Sequence, residues 1–158
     1  GMAIVFWEDR GKKVLKKELF SQTAENSAKL VVGQSNDTLN NPTQLRRFFD
    51  EIISFEAKYK LAFAKTSSQE DRNLLFKRQL PFLHMIVPKV KYAEARKLVT
   101  KDFTQIITEA IAQINEPEDI KVFTSFFEAF MGHYKFHFVE KKDREKQEQN
   151  NRNFGGKR

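Results

Sequence analysis

His133 and His137 stand four residues apart, the spacing that places two metal ligands on one face of a helix. The residues between them are Tyr134, Lys135 and Phe136, so the glutamate of a metalloprotease helix is missing. A chain without cysteine offers no thiolate as a further ligand, and neither a metal nor a cofactor is expected. The lack of cysteine also excludes thiolate catalysis and disulfides, and it suits a reducing compartment, with the cytoplasm as the default. No glycine-rich phosphate loop, Ser–His–Asp set or carboxylate cluster shaped for Mg²⁺ can be assembled.

Arg78 and His84 enclose five residues. In a family of helical ribonucleases a dimer pools two Arg…His pairs of this sort to polarise a phosphodiester and move a proton. Pro81 falls inside the spacing and disturbs the helical register that aligns such side chains. A dimeric, metal-independent ribonuclease using Arg78 and His84 stays open as an alternative function.

The strongest chemical signal is charge. From Lys77 to Lys101, seven cations (Lys77, Arg78, Lys89, Lys91, Arg96, Lys97 and Lys101) meet one carboxylate, Glu94. A surface this one-sided repels itself unless something anionic covers it. The whole chain carries a formal charge of +7, so a polyanion, RNA first, is the expected partner. A protein-only scaffold whose basic face meets an acidic partner is the other alternative.

Helices must position these cations. Asn41 as N-cap and Pro42 at the first helical position start one helix. Its stripe is Leu45, Phe48, Ile52, Phe55, Tyr59 and Phe63, and it ends near Lys65. Stepping about 100° per residue puts Arg47, Lys58 and Lys65 opposite Leu45. That row either tracks a phosphate backbone or is an ordinary wet face on which Glu51 pairs with Arg47. A second helix opens at Ser67 or Ser68, is kinked by Pro81, and gives way to a separate helix around Pro88. There, Lys89, Tyr92, Ala93 and Arg96 share one face by spacing, suiting two phosphates and a stacked base. The other reading has Tyr92 closing the core and Arg96 salt-bridged.

From Thr100, Phe103, Ile106, Ile107, Ala110, Ile111 and Ile114 fit an amphipathic helix stopped by Asn115 to Pro117. Ile120, Phe123, Phe126, Phe127, Phe130, Met131 and Tyr134 form the last stripe. Lys12 to Thr23 reads as a short helix and Ser35 to Asn40 as a loop. The polar tail cannot bury enough to offset its ordering entropy, so disorder is expected there. Gly1 ahead of Met2 looks like a tag remnant. No apolar run is long enough to span a bilayer, so a soluble chain is expected. The expected fold is all-α, a single-domain antiparallel helical bundle of about five to six helices. Residues 1–40 are an N-terminal extension, 41–139 the bundle and 140–158 the tail.

Three segments in order carry a family resemblance. They are Gln44-Leu45-Arg46-Arg47-Phe48-Phe49-Asp50-Glu51-Ile52, then Ile86-Val87-Pro88-Lys89-Val90-Lys91-Tyr92-Ala93-Glu94-Ala95-Arg96, and Phe123-Thr124-Ser125-Phe126-Phe127-Glu128-Ala129-Phe130-Met131-Gly132-His133-Tyr134-Lys135. Over Asn41 to Phe138 the chain resembles the small subunit of type III-A CRISPR–Cas effector complexes, the Csm complexes. The resemblance implies a helical RNA-binding protein without catalytic activity. Several copies of such a subunit stack along the filament and hold the target RNA as it pairs with the guide RNA. Its implied partners are guide RNA, target RNA, the other subunits and copies of itself, with no membrane. Cleavage of the target belongs to the backbone subunits, and DNA cleavage and cyclic-oligoadenylate synthesis to the large subunit. The family's motif suggests Arg46, Lys89, Tyr92 and Arg96 as contact residues, and the charge argument adds Arg47, Lys58, Lys91 and Lys97. Where the family commonly shows glycine before the arginine of the middle motif, this chain has Glu94-Ala95.

Overall fold

The computed structural model describes residues 4–155. The glycine read as a tag remnant and the last three residues of the tail lie outside the described residues. Among the described residues the fold is an all-α bundle with one small hairpin. The hairpin pairs β1 (Trp7–Asp9) with β2 (Val14–Leu15), antiparallel. A π-helical turn (Leu19–Thr23) runs into α1 (Ala24–Gly33). Then follow α2 (Pro42–Ala64), α3 (Gln69–His84), α4 (Ile86–Ala95), α5 (Lys101–Ala112) and α6 (Pro117–Gly155).

The helix starts follow from capping chemistry. Asn41 accepts the Thr43 amide at 2.9 Å with Pro42 behind it, and Ser68 accepts the Asp71 amide at 3.1 Å. Pro81 lies inside α3, and the next helix starts at Ile86, two residues before Pro88. The segment Lys12 to Thr23 differs from the helix expected of it. Val14 and Leu15 are strand, and helical structure begins only at Leu19. The turn between the strands, through Gly11 and a left-handed Lys13 (φ 58°), suits a hairpin better than a helix.

Packing centres on α6. Phe123, Phe126, Phe127, Phe130 and Tyr134 are buried along it, and α1 and α2 pack against it. Phe49 of α2 stacks on Phe127 with ring centroids 5.5 Å apart, and Phe103 of α5 meets Phe127 edge-on at 6.2 Å. Residues 4–40 contribute to this core, since Ile4, Phe6, Leu19, Ala28 and Val31 are buried in it.

Two polar knots fix the helices against one another. Asp119, fully buried at the start of α6, accepts from Arg10 Nη1 on both carboxylate oxygens (2.9 and 3.0 Å). The Trp7 indole and the amides of Asn115 and Glu116 add three more bonds at 3.0 Å. Hairpin and helix start are thus tied by one satisfied carboxylate. At the other end Asn40, buried and left-handed (φ 54°), exchanges hydrogen bonds with Thr100 and gives its carbonyl to the Tyr134 hydroxyl. Burial pushes the Tyr134 hydroxyl well above the usual phenol range.

Through its described part the polar tail is helical. α6 continues to Gly155 although its side chains beyond Lys142 are exposed. Extending a helix that packing has already nucleated costs little per residue, and Lys, Glu, Gln and Arg are good helix formers. Lys141 donates to the Val32 carbonyl at 3.1 Å near the C-terminus of α1, while Lys142 bonds Asp37.

Candidate nucleic-acid interface

α2 exposes Arg46, Arg47 and Lys58 because Leu45, Phe48, Phe49, Ile52 and Tyr59 occupy its buried side. α4 does the same with Lys89, Lys91, Tyr92 and Arg96, its buried side being Ile86, Val90 and Ala93. Ala93 therefore belongs to the core and not to the face that spacing gave it. Tyr92 is 64% exposed, so it does not close the core. The Arg96 guanidinium lies over its ring, 5.7 Å from the centroid.

Lys97 ends α4 in an unusual way. Its backbone is left-handed (φ 60°), its amide bonds the Glu94 carbonyl and the Leu98 amide bonds the Ala93 carbonyl, both at 2.9 Å. This is the helix-ending position where glycine normally stands, because only glycine escapes the Cβ clash. A lysine holds it here.

The eight predicted residues separate by their partners. Lys89 pairs with Glu51 at 2.8 Å, so Glu51 reaches across to α4 and does not pair with Arg47. Arg46 pairs with Asp50 at 3.5 Å and covers the Phe49 ring at 5.2 Å. Arg47 reaches Gln44 at 3.4 Å. Lys58, Lys91, Arg96 and Lys97 form no ion pair among the described residues. Lys58 of α2 and Lys89 of α4 line one groove of about 510 Å³. Arg46 lines a different hollow of about 610 Å³ with Phe49, Glu128 and Lys135. Arg47, Lys91, Arg96 and Lys97 line neither hollow.

Other candidates resolve differently. His133 and His137 both face Glu25 of α1, at 3.7 and 2.9 Å, and His133 also meets the Phe20 carbonyl at 3.1 Å. They tie α1 to α6, and no group of three or more metal-binding side chains occurs among the described residues. The hydrogen bond from His137 holds the Glu25 carboxyl below the usual range, with Lys29 adding to it. Arg78 and His84 are both exposed. Six helical steps turn the chain by about 600°, so the two side chains leave α3 about 120° apart.

The sequence of a type III-A Csm2 family model matches residues 15–140. The chain belongs to the type III-A Csm2 family. It is the small subunit of a Csm complex and has other subunits of that complex as neighbours. The match takes in α1 as well as the segment from Asn41, so the family pattern reaches into the first forty residues. No curated protein and no solved structure matches the chain. No helix among the described residues is long and apolar enough to cross a membrane.

Sequence reasoning missed Phe82, Met85 and Lys135. Phe82 and Met85 are 65% and 52% exposed and share the groove of Lys58 and Lys89. A signal for them existed, since Phe82, Met85, Lys89, Tyr92 and Arg96 recur at steps of three and four. The two prolines hid it by dividing the stripe between α3 and α4. Lys135 had no such signal, because only folding brings it beside Arg46.

Proposed function

We propose that this small subunit is a non-catalytic RNA-binding protein of a type III-A CRISPR interference ribonucleoprotein. Several copies stack along the guide–target RNA in the cytoplasm and hold the backbone of the target strand. Contacts come from Arg46, Arg47, Lys58, Lys89, Lys91, Tyr92, Arg96 and Lys97. The supporting observation is that Lys58, Lys91, Arg96 and Lys97 are exposed on α2 and at α4 with no ion pair to an acid among the described residues. Such cations bind a phosphate chain by releasing its counterions, largely without regard to sequence.

Fluorescence anisotropy with single-stranded RNA tests this. Affinity is expected to fall with salt at a log–log slope of about −0.7 per phosphate contacted. Charge reversal at Lys89, Arg96 and Lys97 together should flatten the slope and reduce capture of target RNA by the assembled complex. Absence of binding at low salt, with target capture intact in the reversed variant, would rule the role out.

A further inference from the structure

We propose that the groove between α2 and the α3–α4 junction seats an unpaired base of the RNA strand, a role that rests on the RNA binding proposed above. The exposed stripe Phe82, Met85, Lys89, Tyr92, Arg96 places two apolar side chains and an aromatic ring beside two cations. An exposed phenylalanine beside an exposed methionine is a surface that water solvates poorly and that a partner covers. Lys58 stands on the α2 side of the same groove and Lys89 on the α4 side.

The chemistry favours a nucleotide over an apolar peptide. A phosphate finds two ammonium groups, one of them free and one shared with Glu51, while a flat base finds the Phe82 ring and the Met85 thioether. Ser54 and Gln79 supply polar atoms for a base edge. Tyr59 lines the groove too, and its buried hydroxyl has no partner among the described residues. A base within a duplex has both faces covered by its neighbours, so only an unpaired base reaches a ring of the protein. The groove therefore discriminates strand from duplex, which the cations alone do not.

The experiment measures binding of the full chain to a single-stranded RNA and to a blunt RNA duplex of equal length at low salt, for the native chain and Phe82→Ala. Phe82 is exposed, so the variant should fold, and circular dichroism verifies it. Single-strand affinity is expected to fall about 5- to 160-fold, the range for loss of one stacked base, with duplex affinity unchanged. A 2-aminopurine base in the strand should be quenched by the native chain and not by the variant. Equal affinities for Phe82→Ala and the native chain, with binding still lost on charge reversal at Lys89 and Arg96, overturn the base seat and leave the RNA role standing. No binding by the native chain overturns both. If Phe82→Ala weakens assembly with the other subunits but not RNA binding, the groove belongs to a protein neighbour and the base seat is wrong.

Discussion

Lys97 holds a left-handed backbone that costs a non-glycine residue about 1–2 kcal/mol, and its exposed side chain forms no ion pair among the described residues. Lys97→Gly relieves the clash but frees the unfolded chain, so the net gain should be up to about 1 kcal/mol. Thermal melting should show a rise of a few degrees. RNA affinity should fall in the same variant, since a cation is lost; a variant that is more stable and binds equally well would show that the charge has no role. Tyr134 makes the opposite case. Its hydroxyl is the partner of the buried Asn40 carbonyl, so Tyr134→Phe leaves an acceptor unpaired and should cost about 1–3 kcal/mol. Chemical denaturation would register this as a lower midpoint with an unchanged slope.

Among the elements, the α1–α6 seam is the one that pH should reach. Glu25 of α1 sits against His133 and His137 of α6, and its carboxyl is held below the usual range. A carboxylate whose pKa drops on folding stabilises the fold above its unfolded value, roughly pH 4.3. That contribution is lost as the pH falls through the folded value. Glu25→Ala should therefore be less stable than the native chain near neutrality, and the gap should close as the solution is acidified below the glutamate range. Urea melts at several pH values check it, and a gap that persists in acid would assign the effect to packing. The stripes of α2, α5 and α6 were legible because each is long and strictly periodic. The stretch from Lys12 to Thr23 was not, because Val14, Leu15, Leu19 and Phe20 suit either a helix or a strand at that length. The turn geometry decided it, and that depends on the hairpin being held against α6 by Arg10 and Asp119.

At the scale of the molecule, α6 is both the centre of the core and a spur beyond it. Ending the chain after Lys142 removes exposed side chains and one i,i+4 pair, Lys141 with Glu145 at 3.9 Å. The shortened chain should keep its stability within about 0.5 kcal/mol while losing helical ellipticity. A loss of several kcal/mol would mean that the spur folds back onto the bundle. The sequence by itself determined the fold class, the helix caps at Asn41 and Ser68 and the cation-rich segment, because these depend on periodicity and neighbouring residues. Only the tertiary structure decided which cations keep their charge unpaired. Glu51 is four residues from Arg47 in the chain but pairs with Lys89 of another helix, and no local rule predicts a bond across such a separation. The same packing set Phe82 beside Lys58 and Lys89, since a groove is a property of two helices and not of either one.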